Sequence, residues 1–184
     1  SNTYDVNGSN PTAGDKSFLT FSSSAALVHK LKQDWNLSGS ISYSERAPST
    51  EELYARGAHH ATESFSIGSN RLQQEAAIGF DVTLRKTEGT IRGSFTPYYN
   101  YFDNYIYEQA TGRDVTEDGN FPVPASEEAL TERRYVGVEA RFYGFEADAE
   151  TTLYKDKRST ITLKGMSDYT RAKNKTENID LPRI

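Results

Sequence analysis

The stretch WNLSGSISYSER, Trp35 to Arg46, decides the fold. Its odd positions carry Trp35, Leu37, Gly39, Ile41 and Tyr43, and its even positions carry Asn36, Ser38, Ser40, Ser42, Ser44 and Arg46. A two-residue period sorts side chains onto the two faces of a β-strand, whereas 3.6 residues per turn would mix the two sets on every helical face. One face of this strand is therefore wholly polar and the other largely apolar.

The same rhythm recurs on both sides. Leu19, Phe21, Ala25, Leu27 and Leu31 alternate with Thr20, Ser22, Ser24 and Lys30, and Ala76, Ile78, Phe80, Val82 and Leu84 alternate with Glu75, Asp81, Thr83 and Arg85. Later segments set Ile91, Phe95 and Tyr99 against Arg92, Ser94 and Thr96, Phe145, Ala147 and Ala149 against Glu146, Asp148 and Glu150, and Ile161 and Leu163 against Thr160, Thr162 and Lys164. About six strands are predicted, at residues 17–31, 35–46, 75–86, 90–107, 135–155 and 159–172. Pro97 interrupts the fourth, where the missing N–H predicts a bulge or an edge position. The expectation is an all-β fold, an antiparallel up-and-down meander.

The connections alternate in length. Short turns at 32–34, 86–89 and 155–158 separate long loops at 47–74, 108–133 and from 173 onward. In a meander this puts all the short turns at one end and all the long loops at the other, as in outer-membrane barrels with tight periplasmic turns and long extracellular loops. The aromatic run Tyr98, Tyr99, Tyr101, Phe102, Tyr105 and Tyr107 falls toward a long-loop end and Trp35 beside a short turn, where interfacial girdles would sit. A soluble antiparallel sandwich or adhesion module alternates too, and the period leaves that alternative open.

Composition narrows the classes. Only 35% of the 184 residues are hydrophobic, aromatics reach 12%, and the net charge is -5 with both signs dispersed, so no basic stripe exists for nucleic acid. With no Cys, thiolate catalysis and Cys-ligated zinc are excluded, and a metal would need His and carboxylates. No nucleophile-elbow, P-loop, HExxH or EF-hand pattern is present, which argues against an enzyme. No apolar run approaches the ~20 residues of a spanning helix, but barrel strands need only ~9–11 alternating residues.

From Ser44 to Glu75 the sequence SERAPSTEELYARGAHHATESFSIGSNRLQQE resembles a signature of TonB-dependent receptors, an arginine-alanine-proline turn ahead of an ELYA segment. Within that superfamily it is most similar to zinc-uptake receptors, whose loop has the form Tyr-Ala-x-Gly-x-His-x-Ala-Thr, here Tyr54, Ala55, Gly57, His59, Ala61 and Thr62. YNYFDNYIY at Tyr99 to Tyr107, ARFYGFEAD at Ala140 to Asp148 and LPRI at Leu181 to Ile184 also resemble family blocks. The resemblance implies part of a transmembrane barrel of about 22 strands around a plug domain, in the bacterial outer membrane, energised through the TonB complex. Neither a plug nor a TonB box is recognised in these residues, so lipid, the plug and further barrel strands are the expected partners.

The same resemblance implies that His59 is a ligand for zinc, as transported substrate rather than cofactor. His60, adjacent to it, is a second metal candidate on the chemistry of imidazole alone, and Glu63 a weaker one. Two loop histidines can equally be solvated side chains. A haem or siderophore receptor of the same superfamily is the alternative, a loop His then serving as an axial iron ligand. His29 falls on the lipid-facing parity, and Arg46 and Pro48 read as turn architecture. Glu146, Asp148 and Glu150 line one face and are expected to pair with cations on neighbouring strands. Asp114, Glu117, Asp118, Glu127, Glu128 and Glu132 read as solvated loop acids.

Overall fold

The structure, a computed structural model, describes residues 16–181. The LPRI block past Leu181 and most of the N-terminal loop lie outside the described residues. Six long strands dominate: β1 (Ser22–Lys32), β2 (Trp35–Arg46), β5 (Glu75–Lys86), β6 (Ile91–Val115), β7 (Leu130–Lys155) and β8 (Thr160–Asn174). Three short ones join them: β3 (Arg56–His59), β4 (Ser64–Ile67) and β9 (Ile179–Asp180). The sheet order β1-β2-β5-β6-β7, with β8 also on β7, is the expected meander.

Nine strands rather than six appear among the described residues because the loops are themselves folded. The segment 47–74, expected as loop, contains the helix α1 (Thr50–Tyr54), the β3/β4 hairpin and a 3-10 turn at His60–Thr62. Period-two reading misses four-residue strands, which hold too few residues to establish a period. β6 and β7 likewise run to Val115 and back from Leu130, well beyond 107 and 135, so the loop between them is shorter than expected. β1 begins at Ser22 rather than 17. Pro97 causes no bulge: Asp81 pairs with Tyr98 and Leu84 with Phe95 in one unbroken register.

The chain divides into two compact units. Of the described residues, one unit, the wall, comprises 21–45, 76–103 and 138–181; the other, the loop unit, comprises 16–20, 46–75 and 104–137. In β5 the apolar parity is the more exposed one, and in β1 and β8, where both parities are exposed, it is uncovered as well. Leu27 is 75% exposed, Val82 48% and Leu163 58%, and Ile41, Phe80, Phe95 and Ile161 behave alike. A sheet in water would tuck this parity under a second layer, so its exposure identifies a surface made for hydrocarbon. The opposite parity is laced with polar contacts: Arg92 to Glu150 at 2.8 Å, Lys164 to Glu150 at 3.1 Å, Thr83 to Thr96 at 2.9 Å and Ser94 to Asp148. Of the three acids expected to pair with cations, Glu150 does so, Asp148 accepts instead from the Ser94 hydroxyl, and Glu146 stands opposite Asp168, another acid.

Carboxylates mark two of the wall's short turns. Asp156 accepts the N–H groups of Arg158 and Ser159 at 2.7 Å each, closing the β7/β8 turn. Asp34, in the β1/β2 turn, accepts a 2.8 Å hydrogen bond from Lys86, whose ammonium also lies 5.8 Å from the Trp35 ring centroid. That arrangement, an amphipathic ring with a cation beside it, suits a headgroup boundary.

The buried apolar clusters belong to the loop unit. Leu53, Leu72 and Ile106 form one, packed by Phe18, Tyr54 and Tyr135; Phe65, Val115 and Leu130 form the other, packed by Ala58 and Ile67. Each fully buried Leu or Phe stabilises by roughly 1.5–3 kcal/mol. The loop unit is therefore built like a small globule.

Candidate metal-binding site in the loop unit

The segment after β2 folds because its polar residues cap and clamp it. Ser49 is the N-cap of α1: its hydroxyl accepts the Glu52 N–H at 3.1 Å, and the Glu52 carboxylate accepts the Ser49 N–H at 2.7 Å, a capping box. Arg46 donates to both Glu52 oxygens, at 3.0 and 2.9 Å, and to Glu75 at 3.2 Å. The paired acids push the Arg46 guanidinium further from deprotonation, hydrogen bonding to Glu52 being the main cause. Arg46 is thus turn architecture, as its sequence position suggested. Gly68 closes the helix-to-hairpin passage, since a Cβ there would lie 2.5 Å from the Tyr54 nitrogen.

β3 and β4 pair antiparallel from Arg56↔Ile67 to His59↔Ser64, and β4 pairs parallel with β7 from Ser64↔Thr131 to Ile67↔Arg134. Burial holds this hairpin, with Ser64, Phe65 and Ser66 each about 2% exposed. Its tip carries the histidines. His59 ends β3 and His60 opens the 3-10 turn, both exposed. The tip is held by Thr62, whose hydroxyl donates to the His59 carbonyl at 3.3 Å and bonds Ser64 at 2.8 Å. Glu63 follows in the left-handed conformation, φ 47°, with its N–H on the His60 carbonyl. The Glu63 carbonyl in turn accepts the Thr131 N–H at 3.1 Å.

A carboxylate missed as a partner in the sequence meets this tip. Glu117, in the loop between β6 and β7, places Oε1 3.3 Å from His60 Nε2. Glu132, read as a solvated loop acid, is instead buried: Arg113 donates to both its oxygens at 2.8 Å. The correction has a simple cause, because Glu132 lies inside the extended β7 on the face of Leu130, where an ion pair is required for burial. Asp114 accepts from Thr131 at 3.3 Å, so it too has a structural partner. His29 belongs to β1 of the wall, on the parity of Leu27, opposite Leu37.

Among the described residues no group of three or more His, Cys, Asp or Glu side chains is gathered for a metal. Zinc in proteins takes three or four ligands. Of the expected metal residues, His60 stands against Glu117, while His59, next to it in the chain, is exposed and joins no cluster of three with them.

Residues 1–184 match a family model described as TonB dependent receptor-like, beta-barrel. Among solved structures the chain is similar to the copper transporter OprC, with a TM-score of 0.69 and 20% identity, covering 94% of this chain and 24% of that one. It is also similar to the siderophore receptor PirA from Pseudomonas aeruginosa, with a TM-score of 0.51 and 15% identity, covering 82% of this chain and 29% of that one. The chain thus spans about a quarter of the length of the structures whose fold it shares.

Proposed function

Because the chain belongs to the family of TonB-dependent receptor β-barrels, a family of outer-membrane transporters rather than enzymes, we propose that the receptor containing it takes up zinc from outside the cell. The inside-out wall fits that family, and the rival reading of a soluble β-rich module falls with it. On this reading His59 binds the ion arriving from outside the cell, and the plug and TonB complex of the whole receptor carry it to the periplasm.

The observation that supports zinc is the His59–His60 tip, two exposed imidazoles on a hairpin fixed by buried Phe65 and by the Glu63 to Thr131 hydrogen bond. Neutral imidazole nitrogen is a preferred zinc donor, and a rigid hairpin presents it with little ordering cost. Zinc titration calorimetry on the full-length receptor, wild type against His59→Ala, tests the reading. A loss of affinity is expected, and unchanged affinity removes His59 from the site. Haem or siderophore uptake predicts no zinc heat at all and, for haem, a Soret band on addition.

A further inference from the structure

Independently of the zinc reading, we propose that the short-turn rim of the wall binds the headgroups of anionic phospholipids, through Lys32, Lys157 and Arg158. The three short turns read KLKQD (30–34), RKTEG (85–89) and KDKR (155–158), seven Lys or Arg against three acids in a chain whose net charge is -5. The antiparallel meander sets these turns at one end of the sheet. The Thr87 N–H on the Asp34 carbonyl, at 2.8 Å, joins the first two directly. Positive charge is thus gathered at one rim of a protein that is acidic as a whole.

Two of the rim's acids are already engaged. Asp34 is ion-paired to Lys86 at 2.8 Å, and Asp156 accepts the backbone N–H groups of Arg158 and Ser159 together with the Tyr154 hydroxyl. Glu88, exposed, offsets one further cation. Lys32, Lys157 and Arg158 are exposed, and their side chains form no ion pair among the described residues. Their depth follows from the wall itself. The exposed apolar parity runs down to Leu37, Leu84 and Ile161, and Lys86 follows Leu84 on that parity. Amphipathic rings mark the boundary: Trp35 is the register partner of Lys32, and Tyr154 that of Ile161. Where an apolar band made for hydrocarbon ends, the next groups of a bilayer are phosphates, and cations there attract lipids of net negative charge. The other end of the wall is built differently. There Arg171 is paired with Asp180 at 3.1 Å, and Lys173 is the register partner of that same acid.

The test is titration of the full-length receptor in detergent with dioleoyl phosphatidylglycerol or dioleoyl phosphatidylcholine, bound lipid being counted by native mass spectrometry. Wild type is compared with the triple variant Lys32→Gln/Lys157→Gln/Arg158→Gln. Each cation near an anionic headgroup strengthens attachment about fivefold, so the triple variant should lose at least about tenfold in phosphatidylglycerol affinity. Its phosphatidylcholine affinity should not change. Lys16→Gln/Lys173→Gln/Lys175→Gln removes the same charge from positions outside the short turns and should stay within about twofold. Lys32→Arg/Lys157→Arg/Arg158→Lys keeps the charge and should keep the lipid. Equal losses in the two Gln triples, loss in the charge-keeping variant, or a wild type that holds both lipids alike overturns the proposal. Displacement of phosphatidylglycerol by an equal concentration of inorganic phosphate does so too, since it would make the rim an anion site open to water. The Gln triple at the rim should bind zinc as the wild type does, so this proposal and the zinc reading fail separately.

Discussion

One oxygen of Glu75 serves two donors, the Arg46 guanidinium at 3.2 Å and the backbone N–H of Ile106 at 2.9 Å. Glu75 is the first residue of β5, Arg46 the last of β2, and Ile106 belongs to the apolar cluster of Leu53 and Leu72. The carboxylate thus closes the base of the loop unit and fills a buried backbone donor. Glu75→Ala strands both donors. Because Arg46 remains partly exposed, the expected loss is about 1–3 kcal/mol, read as a lower unfolding temperature of the loop unit by hydrogen exchange; Glu75→Gln, which keeps an acceptor, should recover part of it.

The exposed apolar parity of the wall predicts an asymmetry between neighbours in β5. Val82 faces outward, while Thr83, one residue on, faces the polar side and bonds Thr96. An arginine at a lipid-facing mid-strand position costs about 2–4 kcal/mol, against much less on the lumen side. Val82→Arg should therefore reduce the folded fraction of full-length receptor on refolding into bilayers, and Thr83→Arg should not. Equal effects would mean that the parity assignment is wrong.

Asp34 gives the periplasmic turn a pH dependence. Its carboxyl is held below the usual carboxylate range, first by the hydrogen bond from Lys86. A depressed carboxyl contributes stability that is complete above its unfolded value of about 4. That contribution is lost as pH falls through the lower folded value. Asp34→Asn should leave less of a stability decline below about pH 4 than the wild type shows, measured by thermal unfolding in detergent across pH 2 to 6.

Much of the wall was legible because its signal repeats. Trp35 to Arg46 shows six polar positions in strict alternation, and the turns at 33–34 and 156–159 are punctuated by Asp34 and Asp156. The loop unit was less legible, since its order comes from contacts far apart in sequence. Phe65 meets Val115 and Leu130 across fifty or more residues, and Glu132 looks like any loop acid until Arg113 reaches it. Ser49 and Glu52 did carry a local capping-box signature, and that signal could have placed α1. Glu117 had no such local mark; only the fold brings it to His60.

Phe65 separates the two units experimentally. Its ring is 2% exposed, packs with Val115 and Leu130, supports Gly119 from beneath and lies 5.9 Å from the Arg56 guanidinium. Phe65→Ala opens a cavity at the point on which both the histidine tip and the Glu117 turn depend, at a cost of about 3–5 kcal/mol. The wall holds none of this cluster, so full-length Phe65→Ala should still migrate as a folded barrel on an unboiled gel. It should meanwhile lose hydrogen-exchange protection at 56–67 and 115–132 and, with it, zinc affinity. Gly119→Val, which adds strain at positive φ and a clash with the same ring, should reproduce the loss at 116–120 while sparing the β3/β4 pairing. If Phe65→Ala left both segments protected, the cluster would not be what positions the site.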